Sequence, residues 1–145
     1  MSVDIRQTDG LEMVGDQDST RNPTARGGFI TASINYNVPA ADATFFVADR
    51  AYVVKGIRGV PDVAGTGGAC TATIRKVPSG TALTSGTALH SSTYNLVGTV
   101  ATTQTLTLST TASDLLLAAG DRISADYTGT ATSAIGAITV TLSPA

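Results

Sequence analysis

An all-β sandwich or barrel of about eight strands, preceded by an extended N-terminal arm, is the fold this 145-residue sequence predicts. Three observations predict it. From Phe45 onward, short Val, Ile, Leu and Thr runs are cut by Gly, Ser and Pro at the regular spacing of an antiparallel β protein. Several runs alternate apolar and polar residues with period two, which marks a strand buried on one face. No window of useful length carries the 3.6-residue periodicity of an amphipathic helix.

Residues 1–28 differ in kind from the rest. They carry Asp4, Asp9, Glu12, Asp16 and Asp18 with Arg6, Arg21 and Arg26, and show no sustained periodicity, so they are read as an extended arm. The arm ends at the glycine joint Arg26-Gly27-Gly28, and residues 29–145 form the domain. In FITASINYNV, Ile30, Ala32, Ile34, Tyr36 and Val38 share one face and Thr31, Ser33, Asn35 and Asn37 the other, until Pro39 closes the strand. Thr44 to Val47 and Tyr52 to Val60 predict two more strands around a turn at Asp49-Arg50, with Gly56 and Gly59 weakening or bending the second. Asp62 to Gly68 reads as a loop, after which CTATIRKV resumes the alternation through Cys70, Ala72 and Ile74. Beyond Pro78, Ser79-Gly-Thr-Ala-Leu83 is duplicated as Ser85-Gly-Thr-Ala-Leu89. Two copies are too few for a stacked solenoid, so this is a Ser/Gly loop with two Leu anchors.

Tyr94 to Val100 and Gln104 to Ser109 follow as strands, the second with Leu106 and Leu108 inward. Thr111 to Ala119 comes nearest to a helix, with Thr111 or Ser113 as its cap, and Gly120 ends it. Gly120 suits positive φ and Asp121 can accept from nearby backbone N–H groups, which predicts a turn. RISADYTG then alternates Ile123, Ala125 and Tyr127, and the closing AITVTLS alternates Ile138, Val140 and Leu142.

A chain of this length suits one domain that buries about 68–70% of its unfolded surface without a metal or disulfide staple. The formal charge of −2 provides no basic stripe to neutralise phosphates, so nucleic acid is not an expected partner. Nor is a membrane, since apolar stretches such as Leu115 to Ala119 fall far short of the roughly 20 residues a spanning helix needs. MSVDIRQTDGLEM holds acidic residues where a signal peptide needs a basic start and an apolar run, so export by that route is not expected. The single Cys70 fits a reducing cytoplasm and reads as a small buried hydrophobe. Asn22-Pro23-Thr24 is no glycosylation site because of its proline.

Candidate chemistry reduces to structural explanations one motif at a time. Gly65-Thr-Gly-Gly68 is followed by a strand pattern, whereas a nucleotide-binding loop needs a helix N-terminus there, so a β-turn is expected. His90 with Ser91 and Ser92 has no evident carboxylate behind it and reads as a loop histidine. Asp16-x-Asp18-x-Thr20 begins like a calcium loop, then puts Arg21 where Gly belongs and Gly27 where the bidentate Glu belongs. Asp114 and Asp121 fit turns and Asp126 the exposed face of a strand, which argues against a carboxylate pair. Tyr36, Tyr52, Tyr94 and Tyr127 could line a sugar-binding face, but their place in alternating runs favours packing. No catalytic residue, cofactor or metal is expected.

Arg50-Ala-Tyr-Val-Val-Lys-Gly-Ile-Arg58, ATIRKVPSGTAL, LLLAAGDRISADYTGT and the closing ITVTLSPA together resemble the cement or decoration proteins on the heads of tailed bacteriophages. The resemblance covers about Thr44 to Ala145. It implies a jelly-roll sandwich that binds the outer surface of an assembled icosahedral capsid and bridges neighbouring capsomers. Its partners would be the major capsid protein and itself, as a homodimer or homotrimer. Its location would be the virion, after synthesis in the host bacterial cytoplasm. The arm lies outside the resemblance. On physical grounds it is expected to be loose when free and to lie across a neighbouring copy or a capsid subunit, with Arg6, Asp16, Asp18, Arg21 and Arg26 as contact residues. A carbohydrate-binding or tail-fibre-type module is the alternative that the same architecture supports.

Overall fold

The computed structural model describes residues 28–38 and 41–145. Among these residues ten strand segments run in the order β1 (Ile30–Asn37), β2 (Ala43–Val47), β3 (Tyr52–Val63), β4 (Cys70–Val77), β5 (Thr87–Ala88), β6 (Tyr94–Asn95), β7 (Gln104–Thr105), β8 (Leu116–Leu117), β9 (Arg122–Gly129) and β10 (Ile135–Pro144). They form two antiparallel sheets. One has the order β1-β10-β3-β7, with β8 also on β3; the other has the order β2-β9-β4-β5, with β6 also on β4. β5 and β6 pair with successive stretches of β4, and β7 and β8 with successive stretches of β3, so the ten segments fill eight strand positions. With β10 between β1 and β3, and β9 between β2 and β4, this is the double Greek-key pairing of a jelly roll. The predicted all-β sandwich is the observed fold; the expected arm lies, apart from Gly28, outside the described residues.

Alternation positions the core. Ile138, Val140 and Leu142 of β10 are fully buried, and they face Ile74 of β4 and Ile123 and Ala125 of β9, which are also fully buried. Cys70 is buried among them as a small apolar group, and burial raises its thiol pKa.

Two inward glycines make room for aromatic rings. A Cβ on Gly59 would meet Tyr94 Cζ at 2.8 Å and the Ala137 carbonyl at 2.9 Å, and one on Gly136 would overlap the Val60 carbonyl and the Tyr36 hydroxyl. Over these glycines Tyr36 and Tyr94 cross edge to face at 6.0 Å and share a hydroxyl–hydroxyl hydrogen bond of 2.9 Å. Tyr127 lies 6.4 Å from Tyr36, and burial pushes its pKa up to about 12. Its hydroxyl is buried and has no hydrogen-bond partner among the described residues. Removing that hydroxyl removes a desolvation cost and no hydrogen bond. Tyr127→Phe is therefore expected to leave stability unchanged or raise it by up to about 1 kcal/mol in urea titration.

Several boundaries depart from the sequence reading. β3 continues through Pro61 to Val63, where a loop was expected, because the register shift between Ile135 and Gly136 leaves Asp62 as a bulge. Proline is tolerated in such a place, beside a bulge at a strand end. The strand expected from Tyr94 to Val100 stops at Asn95. There the Gln104 side chain accepts from Asn95 N at 2.9 Å and donates to Asn95 O at 2.7 Å, while Asn95 Oδ1 turns the chain by accepting from Val97 N. The helix-like stretch is a single 3-10 turn, Ala112–Leu115, with no side-chain cap from Thr111. The Ala118–Asp121 turn forms as expected, with Gly120 at φ 91° and Asp121 Oδ2 accepting from Ala118 N at 2.9 Å.

One side of the sandwich is sealed between the sheets. Ser91 N donates to the Thr107 carbonyl and Ser109 N to the Leu89 carbonyl, both at 2.9 Å, and Thr107 N donates to Ser92 Oγ at 2.8 Å. The edge strands β1 and β2 lie on the opposite side.

Candidate docking surface

The two sheets treat their outer faces differently. On the β2-β9-β4 sheet, alternation points Val77, Ser124 and Asp126 outward, yet Val77 and Ser124 are fully buried and Asp126 nearly so. The segment from Pro78 to Gly86 covers them. Arg75 fixes it by donating from Nε to Asp126 Oδ2 at 2.7 Å and from Nη1 to the Gly86 carbonyl at 2.9 Å. Arg122 Nη2 donates to the Thr81 carbonyl at 2.6 Å. Asp126 was expected on an exposed strand face; it is the buried counter-ion of this clamp, and the duplicated Ser/Gly segment is the cover.

No segment among the described residues covers the outer face of the β1-β10-β3 sheet. Cross-strand neighbours build rows of mostly small side chains across it, with Arg58 the exception: Asn35, Ala137 and Val60; Ser33, Thr139 and Arg58; Thr31, Thr141 and Gly56. Ser33 Oγ and Thr139 Oγ1 are 2.8 Å apart in an exposed hydrogen bond. A shallow groove of about 300 Å³ runs along the face, lined by Arg58, Gly59, Val60, Thr103, Ala137, Thr139 and Thr141. Val63, Ile135 and Val100 are exposed at one end, Val63 and Ile135 as direct cross-strand partners. The face thus offers hydroxyls, the Arg58 guanidinium, the Lys55 ammonium at the bulge beside Gly56, and an apolar rim. Such a surface can hydrogen-bond directly or through water and bury modest apolar area.

The loops at that end are locked together by the backbone. Val38 N donates to Ala134 O at 2.8 Å, Ser133 N to Val38 O at 2.9 Å, and Thr66 and Thr132 exchange bonds of 3.0 and 2.7 Å. Ser133 and Ala101, both at this end, adopt positive φ without being glycine. The Gly65–Gly68 segment turns here with Gly67 and Gly68 at positive φ and leads into β4, as expected of a turn rather than a phosphate loop.

His90 is no loop histidine but part of the sheet. Its Nε2 accepts from Ile74 N at 2.9 Å, in the gap between β5 and β6, and its Nδ1 donates to the Ser92 carbonyl. Both ring nitrogens are therefore committed, and the neutral tautomer protonated on Nδ1 is required. Burial lowers its pKa below the usual 6.5, the Arg75 cation adds to that, and the Ser92 carbonyl partly opposes it. A histidine depressed on folding contributes stability that is present above pH 6.5 and is lost as the pH falls below it, because the unfolded chain then binds the extra proton. The urea midpoint is expected to drop between about pH 7.5 and 5.5, and His90→Gln to flatten that slope.

The remaining sequence candidates are structural or lie elsewhere. Asp114 accepts from Ser109 Oγ at 2.6 Å within the 3-10 turn, and Asp121 serves its turn. Tyr36, Tyr52 and Tyr94 are buried and Tyr127 is packed against the core, so the tyrosines form no sugar-binding face. Arg6, Asp16, Asp18, Arg21 and Arg26 lie outside the described residues. Sequence reasoning missed the face formed by Thr31, Ser33, Thr139, Thr141 and Arg58. The outward halves of the first and last alternating runs were visible, but their adjacency comes from β10 pairing with both β1 and β3.

The fold and face define an all-β jelly-roll protein with one open, largely hydroxyl-bearing sheet surface. No protein-family model matches the chain, and no curated protein matches it. Among solved structures, it aligns with one from the Gx strain of infectious bursal disease virus at 17% identity, covering 92% of this chain and 37% of that one, with a TM-score of 0.38. A mutant VP2 protein of the same virus in derived T=1 particles aligns at 16% identity over 93% of this chain and 37% of that one, with a TM-score of 0.31. The chain thus spans just over a third of the length of those proteins, and at these values the alignments assign it neither a family nor a role.

Proposed function

We propose that the protein is a non-catalytic structural component of a phage virion, binding the outer surface of the assembled head and clamping neighbouring major capsid subunits. The observation that carries this reading is the outer face of the β1-β10-β3 sheet, uncovered among the described residues and built mostly from small hydroxyl, amide and aliphatic side chains, while the other sheet is roofed by its own loop. A protein displayed in many copies on a lattice needs little affinity per contact, because touching two or three subunits raises the effective concentration. It also has to stay soluble before assembly, which a threonine-rich face favours over an apolar one. The likeness of Thr44 to Ala145 to head decoration proteins supports the same reading. In this reading the arm, with Arg6, Asp16, Asp18, Arg21 and Arg26, adds charge pairs to a neighbour.

Cosedimentation with expanded, empty phage heads and with unexpanded precursor shells tests it. Saturable binding to expanded heads at fixed stoichiometry is expected, weakened at least about tenfold by Thr139→Lys, which would bury a second cation directly beside Arg58 without a counter-ion. Deleting residues 2–26 is expected to lower occupancy and flatten its salt dependence. Binding to neither shell refutes the reading.

A further inference from the structure

We infer that β1 is a self-association edge, paired in solution with β1 of a second copy, antiparallel across a two-fold axis near Ser33 and Ile34. A sheet edge presents unpaired backbone N–H and C=O groups, and soluble proteins protect such edges by shortness, charge, proline or a bulge. Among the described residues β1 has none of these protections. Its eight residues pair with β10 in unbroken register from Ile30 to Asn37, and the strand holds neither a charged residue nor a proline. β2, the edge strand of the other sheet, is protected: it is five residues long, bulged at Phe45, where its register with β9 shifts between Ile123 and Ser124, and flanked by Asp42 and Asp49.

The chemistry of β1 selects its occupant. In an antiparallel pair, residues directly opposite share a face, so a two-fold axis must pass through one residue of each strand. With the axis at Ile34, Ile30 meets Val38 and Ala32 meets Tyr36 of the second copy on the core side. On the outer side Thr31 meets Asn37 and Ser33 meets Asn35. Apolar residues meet apolar or aromatic ones and polar meet polar, with no like charges opposed. A charged peptide would gain nothing along this edge, whereas a second copy satisfies both faces. Phe29 is 68% exposed and Ile30 37% exposed at the start of the strand, apolar area that such pairing would cover.

Sedimentation equilibrium of the purified protein over about 1–100 μM tests this without any shell, so its outcome is independent of capsid binding. The protein is expected to be dimeric. Ser33→Lys, which puts two cations diagonally across the axis, each opposite an Asn35, is expected to weaken dimerisation at least about tenfold while leaving the circular dichroism of the fold unchanged. Val47→Lys, on the β2 edge, is expected to leave dimerisation intact. A monomer throughout the range overturns the inference, as does an oligomer whose dissociation constant Ser33→Lys does not change.

Discussion

Gly136→Ala is expected to lower the unfolding free energy by about 3 kcal/mol or more, at the upper end of what one added methyl does in a packed core. The added Cβ would overlap two groups at once, the Val60 carbonyl of the neighbouring strand and the Tyr36 hydroxyl. The carbonyl belongs to the β3–β10 pairing and has little room to yield. Tyr36 can yield only by leaving Tyr94, which costs the buried 2.9 Å hydrogen bond between their hydroxyls and strands the Tyr94 hydroxyl beside an already orphaned Tyr127. Urea denaturation with an unchanged m-value would report the loss as a lower midpoint, and the thermal midpoint should fall by about 10 °C. The double variant Gly136→Ala with Tyr36→Phe tests the cause. It should be less destabilised than the sum of the two single variants, since the phenyl ring lacks the hydroxyl oxygen that the methyl overlaps and keeps only the Cζ contact at 2.7 Å.

The glycine–tyrosine packing also shows where sequence reading reaches its limit. Period two placed Ile30 to Val38, Cys70 to Ile74, Ile123 to Tyr127 and Ile138 to Leu142 on their correct faces, because alternation is a local property of a strand with one buried side. Gly59 was read as a weak point in its strand. In the folded protein it is the gap that Tyr94 fills, and no local pattern couples residues 35 positions apart. The shortened strand at Tyr94-Asn95 has a similar origin, since the Gln104 side chain takes the backbone bonds that a continuing partner strand would have supplied. His90 could not be recognised as a ladder member because its role depends on Ile74 N lying opposite an interruption in the next strand. The hydroxyl face was half legible: each strand's outward Thr and Ser residues were plain, but the rows that join β1, β10 and β3 follow from topology.

Asp126→Ala should cost about 2–4 kcal/mol, although the alternation of β9 puts this residue on an outward face. Outward normally means solvated, and there a lone ion pair contributes little. Here the segment from Pro78 to Gly86 removes the solvent: the side chains of Arg75 and Asp126 keep only 23% and 11% of their exposure, and the guanidinium also holds the Gly86 carbonyl. Truncating the carboxylate leaves a covered cation without its counter-ion, which is far costlier than losing an exposed pair. Arg75→Met combined with Asp126→Leu should therefore be closer to the wild type than Asp126→Ala is, because it removes both charges together. Hydrogen exchange should localise the damage, with protection lost first at Ser85 and Gly86, whose amides close the 3-10 turn on Ala82 and Leu83. The covered sheet also provides a control for the docking surface. Under conditions where Asp126→Ala remains folded, its binding to expanded heads should match the wild type, because the clamp lies on the opposite sheet from Thr139 and Arg58. A loss of binding at that point would place the contact on the covered face and overturn the assignment of the β1-β10-β3 surface.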